Sequence, residues 1–142
     1  MPTQLPRPAA IQPEEYRQRR ERLMAKLPSH AALLVPGASL VTRSHDSEYP
    51  FRQQSDFYYL TGLQEPEALL LLLPGRAEGQ SVVFCQDRDP TLEAWTGRRL
   101  GAQGVVSQHG LDQAFENAER DALLPTLLDG RELLYVPLDN PD

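Results

Sequence analysis

Three short apolar runs stand out along the chain, at residues 31–35, at residues 68–73 and within residues 81–86. Apolar runs of this length without polar alternation are typical of strands that are buried on both faces of a sheet. A connection rich in proline, glycine and charged residues separates the second run from the third. These two runs therefore predict an antiparallel hairpin in the middle of a sheet.

Shorter segments rich in β-branched and aromatic residues predict further strands. Residues 57–61 are interpreted as a strand that ends at Gly62, and residues 132–136 as the last strand of the chain. Residues 39–42 and residues 105–106 are candidates for two more short strands.

Helical periodicity is clearest near the N-terminus, where residues 13–28 predict a first helix. Proline suits the first turn of a helix, and the two glutamates that follow Pro13 favour the positive end of the helix dipole. The apolar positions fall near one face and are Tyr16, Leu23, Met24 and Leu27. Glutamates are interleaved with the arginines of residues 17–22, which predicts a solvent-exposed face rather than a binding patch.

Two more helical segments are predicted in the second half of the chain. Residues 111–115 suggest a brief helical turn, and a longer helix starts at Asn117 and stops at residues 129–130. Pro125 conflicts with a regular helix there, because it cannot donate a hydrogen bond to the carbonyl one turn earlier. We therefore expect a kink or a later start for this helix.

The mixed order of these elements predicts the fold class. It is an α/β fold, a single three-layer domain in which a mixed sheet of about five or six strands is flanked by helices. Residues 1–13 have little to bury and predict a flexible arm, which leaves residues 14–142 as the domain. The turn-rich end after the last strand predicts a domain boundary near Asp142.

Composition narrows the class of protein. The chain has 142 residues, 40% of them hydrophobic and 24% charged, which are ordinary values for a globular domain. A formal net charge of -6 without a long basic stripe argues against nucleic acid as a partner. No apolar run is long enough to cross a bilayer and the N-terminus lacks a signal-peptide core, so we expect a soluble, cytoplasmic protein without membrane contacts.

Residue types that carry chemistry are sparse. Cys85, the single cysteine, lies in an apolar run, which favours a small buried hydrophobe over a nucleophile. The histidines His30, His45 and His109 lack the close spacing of a metal site. The sequence contains no GxSxG, P-loop, GxGxxG or HExxH motif. We therefore expect neither a metal site nor a catalytic set within this chain.

Residues 42–62, TRSHDSEYPFRQQSDFYYLTG, combine charge with aromatic surface. The first half has no strand or helix period, and the aromatic content argues against disorder, so we predict a long ordered loop. Its charged residues are Arg43, Asp46, Glu48, Arg52 and Asp56. Two interpretations stay open from the residues alone: a structural ion-pair network, or charges that face a ligand or a neighbouring subunit.

A second candidate segment is residues 89–97, DPTLEAWTG. Asp89 can cap a short helix whose first residue is Pro90 and whose end is Gly97. The helix leaves Trp95 at its end, just before Arg98 and Arg99. A single tryptophan is more often buried in a core, but this position between turn signals and two arginines favours a functional role.

The string of residues 42–62 and its continuation to residue 73 resemble the N-terminal, creatinase-type domain of bacterial Xaa-Pro aminopeptidase, or aminopeptidase P. The similarity extends to EEYRQRRERLMAKLP at residues 14–28 and DRDPTLEAWTGRRLG at residues 87–101, and only the general layout matches at residues 103–117. The family of this domain has a six-stranded mixed sheet with flanking helices, in a creatinase N-terminal, ribonuclease H-like fold.

The resemblance implies a longer enzyme of which this chain is the first part. Such an enzyme releases the N-terminal residue that precedes proline, using two metal ions, usually Mn²⁺, in a C-terminal catalytic domain of pita-bread fold. The ligand motifs of that domain are absent here, so we expect the fragment alone to be inactive and to hold no cofactor. The implied partners are the catalytic domain, proline-containing peptides and further copies of the enzyme, with a tetramer as the expected oligomer.

The resemblance also implies roles for single residues. In the family, an Asp and a Trp of this domain reach the active-site mouth of a neighbouring subunit, and they match Asp46 and Trp95. Structural or interface candidates are Arg43, Glu48, Arg52, Asp56, Arg98 and Arg99. We expect Arg52 and Asp56 to tie the loop to the following strand, and the aromatic residues after them to enter the core.

Two alternatives remain at this stage. A domain of the same fold can serve as a stand-alone module that binds peptides or proteins, because fold does not fix function. The chain is also compatible with the N-terminal domain of a prolidase-type dipeptidase. Whether the reading frame continues into a metal-binding domain discriminates a stand-alone module from either enzyme.

Overall fold

The computed structural model describes residues 12–39, 52–96 and 99–137. The elements in chain order are α1 (Pro13–Met24), β1 (Ala31–Pro36), α2 (Ser55–Thr61), β2 (Leu69–Leu72), β3 (Ser81–Cys85), α3 (Pro90–Thr96), α4 (Gly101–His109), β4 (Gln113–Glu116), a 3₁₀ turn (Asn117–Glu119), α5 (Arg120–Leu128) and β5 (Leu133–Tyr135). Residues 40–42 of the predicted strand at residues 39–42, and most of the predicted arm, lie outside the described residues.

The strands form one mixed sheet in the order β4-β3-β2-β1-β5. β2 pairs antiparallel with both β1 and β3, whereas β5 and β4 join the two outer sides in parallel. The hairpin predicted from the second and third apolar runs is therefore confirmed, and β2 lies at the centre of the sheet. The fold class predicted from the sequence is confirmed as well.

Helices cover both faces of the sheet. Successive residues of a strand point to opposite sides, so one strand contributes side chains to the core on each face. Leu70 and Leu72 pack in one core cluster with residues of α1, α2 and α4, while Leu69 and Leu71 pack in a second cluster against α5. All four leucines of β2 are buried. Burying a leucine contributes about 1.5–3 kcal/mol, so this strand alone anchors both layers.

Residues 57–61 form most of helix α2, so the predicted strand is wrong. Both ends of α2 are capped: the side chain of Gln54 accepts a hydrogen bond from the Phe57 backbone N–H at 2.8 Å, and Gly62 is left-handed with φ 70. The Thr61 hydroxyl donates to the Phe57 carbonyl at 2.8 Å, which satisfies it within the helix. Caps and packing here override the β propensity of the aromatic residues.

Two further predictions are wrong, because the predicted strand at residues 105–106 is helical and the predicted helical turn at residues 111–115 is largely a strand. Residues 105–106 lie in α4, where Val105 is fully buried against the sheet, and the predicted helical turn at residues 111–115 contains most of β4. Gly110 ends α4 in a left-handed conformation and lets the chain turn into β4. Segments this short carry too little periodicity to separate helix from strand, and tertiary packing decides between them.

The last α-helix starts later than Asn117, but the later start does not remove Pro125 from its interior. A 3₁₀ turn begins at Asn117, α5 begins at Arg120, and Pro125 lies inside α5. β5 follows as the predicted final strand and pairs with β1, with Ala32 opposite Leu134.

Arg20 corrects the prediction that the charged face of α1 is solvent-exposed. Only 1% of Arg20 is exposed, and its guanidinium donates to the carbonyls of Leu60 at 2.8 Å and Gly110 at 3.0 Å. Both carbonyls lie at helix C-termini, where a cation is favoured. Burial lowers the pKa of Arg20 to about 10. One buried cation thus joins α1 to the ends of α2 and α4.

Candidate functional site

Trp95 is the most exposed large apolar side chain in the described part of the chain. It lies near the end of α3, and 86% of its surface is exposed. Leu92, one turn earlier and therefore on the same side of the helix, is also exposed. The interpretation of this tryptophan as a core residue is wrong, and α3 presents an apolar surface to the outside.

The predicted cap of α3 is present. An Asp89 carboxylate oxygen accepts a hydrogen bond from the Leu92 backbone N–H at 3.2 Å, with Pro90 as the first helical residue. This arrangement satisfies one of the free N–H groups of the first turn.

Glu93 holds both ends of α3, although no motif in the sequence marks it for this role. Its carboxylate accepts hydrogen bonds from the backbone N–H of Asp89 at 2.7 Å, before the helix, and from that of Arg99 at 2.8 Å, beyond it. The Arg88 guanidinium adds contacts of 3.2 and 3.1 Å to the two carboxylate oxygens. Led by the hydrogen bond from Arg99, these donors outweigh the effect of burial and lower the pKa of Glu93 to about 2.

The segment after α3 is fixed by two further contacts. The Arg99 guanidinium donates to the Asp87 carbonyl at 2.7 Å, and the Leu100 backbone N–H donates to a Glu65 carboxylate oxygen at 2.8 Å. Arg99, an interface candidate from the sequence, therefore directs at least one donor into the domain. Arg98 lies outside the described residues.

The candidate residues of the aromatic loop fall into two groups. Asp46, Arg43 and Glu48 lie outside the described residues. Arg52 and Asp56 are exposed, and no ion pair joins them in the described structure. Asp56 belongs to the first turn of α2, so the expected tie between loop and strand is absent between these two side chains.

Gln53 instead fixes the described end of this loop. Its side-chain oxygen accepts from the Ala38 N–H at 2.8 Å, and its amide donates to the carbonyls of Leu63 at 3.0 Å and Glu65 at 2.9 Å. A neutral amide does this better than a charged group, because it both donates and accepts.

Only one of the three aromatic residues of α2 enters the core as expected. Phe57 is fully buried, whereas Tyr58 and Tyr59 are partly exposed. The guanidinium of Arg19 lies 4.3 Å from the centre of the Tyr59 ring and donates to the Tyr59 carbonyl at 3.0 Å. A cation over an aromatic face stabilises this outward position.

An apolar groove of about 650 Å³ lies between α1, α2 and β1. Its apolar lining includes Leu23, Leu33, Val35 and Leu60, and its charged lining residues are Arg19, Arg22, Lys26 and Asp56. The edge strand β5 pairs with β1 beside it and exposes Leu133, Leu134 and Tyr135. The groove and β5 form a second apolar surface, distinct in sequence from α3.

The remaining chemical groups support no reaction centre in the described part of the chain. Within residues 12–39, 52–96 and 99–137, no three His, Cys, Asp or Glu side chains are close enough to hold a metal ion. Burial raises the pKa of the Cys85 thiol to about 12, which agrees with the predicted buried hydrophobe. Burial also lowers the pKa of His109. No described helix is long and apolar enough to cross a membrane.

The fold and its exposed tryptophan define an open, mixed-sheet α/β domain without a metal-binding cluster in its described residues. The chain belongs to the family of the aminopeptidase P N-terminal domain, whose model matches residues 16–135. It is 42% identical over 126 residues to the Xaa-Pro aminopeptidase of Escherichia coli K12 and 39% identical over 127 residues to that of Haemophilus influenzae. These matches cover 88% and 89% of this chain but 29% and 30% of the relatives.

Solved structures agree with this membership. The aminopeptidase PepP of Pseudomonas aeruginosa matches with a TM-score of 0.86 and 44% identity, over 92% of this chain and 30% of that one. Aminopeptidase P of E. coli with the inhibitor Pro-Leu matches with a TM-score of 0.84 and 40% identity, over 94% and 30%. The resemblance seen in the sequence is confirmed, and the chain spans about 30% of the length of these proteins.

Proposed function

We propose that this chain is the N-terminal domain of a metal-dependent Xaa-Pro aminopeptidase, a cytoplasmic hydrolase that releases the N-terminal residue preceding proline. The names of the relatives support the reaction, and the share of those relatives that the chain spans supports a further catalytic domain. By family resemblance, two Mn²⁺ ions would be held in that domain. The domain by itself is inactive and serves the enzyme through its surface.

The observation that carries the surface role is the exposure of Trp95 on a helix whose two ends are held by hydrogen bonds. Exposing an indole to water is unfavourable. An exposed indole that is held in a fixed position is therefore typical of a surface that binds a partner. We place this contact at the substrate entrance of a neighbouring subunit. The flat ring suits packing against the proline ring or the residues that follow it. By family resemblance, Asp46 joins it there to orient polar groups of the peptide.

The second part of the proposal is assembly into a homo-oligomer, with a tetramer as the expected form. β5 is an edge strand with exposed apolar side chains, a feature that isolated domains usually avoid. We propose that neighbouring subunits cover β5. The charged interface candidates would then set the orientation of the neighbouring subunit more than its affinity. These candidates are Arg43, Glu48, Arg52, Asp56, Arg98 and Arg99.

The experiment that tests the role of Trp95 is a Trp95→Ala substitution in the complete enzyme. We expect KM for peptides of three or more residues to rise about tenfold, because one lost aromatic contact of about 1.4 kcal/mol corresponds to that factor. The metal content should stay unchanged, since no metal ligand is altered. Steady-state kinetics on a series of peptide lengths, together with metal analysis, measures both.

Trp95→Phe is the matched control, because it keeps an aromatic ring at the same position and should retain most of the affinity. Unchanged peptide kinetics in Trp95→Ala would overturn the role at the substrate entrance. Activity confined to dipeptides in the unaltered enzyme would instead favour a prolidase-type dipeptidase.

A further inference from the structure

Helix α3 is held to the domain by polar contacts. Within the described part of the chain, neither core cluster includes a residue of α3. The helix has 7 residues, a length at which an isolated helix is not stable in water. Something other than propensity or apolar packing must therefore fix its direction, and with it the direction of Trp95.

The Glu93 carboxylate meets this requirement, because it binds the chain on both sides of the helix. Only 8% of Glu93 is exposed, and its oxygens accept from the N–H groups of Asp89 and Arg99, which flank α3. A charged acceptor makes these hydrogen bonds stronger than neutral ones. The Glu93 carboxylate thus links the residue before α3 to a residue after it.

Arg88 extends this anchor to α4. Its guanidinium is paired with Glu93 at 3.1 Å, and its side chain lies against Gly101, the first residue of α4. A Cβ atom at Gly101 would lie 2.9 Å from the Arg88 Cγ and Cδ atoms, and Gly101 has a φ of 73. Only glycine permits this approach without strain, so the Arg88 side chain has a defined place between α3 and α4.

We propose that Glu93 is the positioning residue of the exposed tryptophan: its carboxylate, shared between Asp89, Arg99 and Arg88, sets the orientation in which Trp95 meets its partner surface. The inference deepens the proposed function, on which the role of Trp95 rests. Glu93 does not touch the peptide itself. It acts two residues away, through the helix that it holds.

The test uses Trp95 as its own probe, because it is the single tryptophan of the chain. Glu93→Gln keeps the shape of the side chain but replaces one acceptor oxygen with an NH₂ group, which cannot accept from the N–H groups. We expect a loss of tryptophan fluorescence anisotropy, with a larger fast component on the ps–ns scale, in a chain that stays folded by circular dichroism.

Asp112→Asn is the matched control. An Asp112 oxygen also accepts from three donors, the N–H groups of Gln80 and Ser81 and the Ser81 hydroxyl, but at a different connection of the domain. It should lower stability without changing the anisotropy of Trp95. Equal anisotropy in Glu93→Gln and the unaltered chain, or an equal loss in both variants, would overturn the positioning role.

A milder variant covers the case in which Glu93→Gln does not fold. Arg88→Met removes the side-chain partner of Glu93 but leaves both backbone hydrogen bonds to the carboxylate in place. We expect a smaller loss of anisotropy in the same direction. Unchanged anisotropy in Arg88→Met would then count against the proposal, because Arg88 is the only side chain that donates to Glu93 among the described residues.

Kinetics of the complete enzyme separates this inference from the proposed function. If Glu93 positions Trp95 for the peptide, Glu93→Gln should raise KM without changing kcat, and should add little to Trp95→Ala in the double variant. A mobile tryptophan in Glu93→Gln with unchanged kinetics in Trp95→Ala would keep the positioning role and reject the substrate-entrance role. Altered kinetics in Trp95→Ala, together with a rigid tryptophan in Glu93→Gln, would keep the substrate-entrance role of Trp95 and reject the positioning role of Glu93.

Discussion

Among single residues, two buried charged side chains, Arg20 and Glu93, organise this domain by binding backbone groups of separate elements. Arg20 lies among five other charged or polar residues at positions 17–22, so its pattern predicts solvent exposure. Glu93 lies in an ordinary first helical turn. The caps were easier to predict, because Asp89 and Pro90 act on backbone groups next to them in sequence. Arg20 contacts carbonyls 40 and 90 residues away, which no local pattern encodes.

Replacing Arg20 tests whether this buried cation stabilises the fold. Arg20→Met should lower the free energy of unfolding by about 2–4 kcal/mol, since it leaves the carbonyls of Leu60 and Gly110 buried without their donors. Arg22→Met is the control on the same helix, because Arg22 is exposed and its nearest carboxylate oxygen is 3.7 Å away. It should change stability by no more than about 0.5 kcal/mol. Urea unfolding of both variants measures the difference, and equal losses would contradict the role of Arg20.

At the scale of elements, the sequence predicted the strands that are buried on both faces and failed where short segments depend on their neighbours. The sequence predicts β1, β2 and β3 because short continuous apolar runs are typical of strands that are buried on both faces. Residues 57–61 carry the aromatic pattern of a strand, yet they form a helix that ends against Tyr16 of α1. That contact is distant in the sequence, and local propensity cannot represent it.

Gly62, at the end of α2, tests this explanation. Its φ is 70, and a Cβ atom there would lie 2.5 Å from atoms of the Tyr16 ring. Gly62→Ala should therefore carry two costs: about 1–2 kcal/mol for the left-handed backbone and about 1–3 kcal/mol for overlap with the ring.

Gly130→Ala isolates the first of these costs, because Gly130 has a φ of 81 with no atom within 4 Å of the added Cβ position. The free energies of unfolding of the two variants, compared by guanidinium denaturation, give the overlap with Tyr16 as their difference. If both variants lose the same stability, the packing of α2 on Tyr16 does not determine where the helix ends.

At the scale of the whole molecule, the domain carries more apolar surface than its own fold uses. β5 is parallel to β1, and parallel strands are normally covered on both faces. Leu134 lies opposite Ala32, which belongs to the core on the α5 side. Tyr135 lies opposite Leu33, which belongs to the other core. Leu134 and Tyr135 are both exposed. Among residues 12–39, 52–96 and 99–137, nothing thus fully covers either face of this edge strand. We propose that a neighbouring subunit covers them in the complete enzyme.

Leu134→Lys tests whether assembly covers β5. Because 52% of Leu134 is exposed in this domain, the substitution should change the unfolding temperature of the 142-residue chain little. In the complete enzyme, a lysine in a covered apolar contact should shift the oligomer towards smaller species, since an unpaired charge would be buried there. Light scattering measures this shift. Gln108→Lys adds the same charge on the exposed side of α4 and should leave the oligomer intact, and an unaltered oligomer in Leu134→Lys would exclude β5 from the subunit contact.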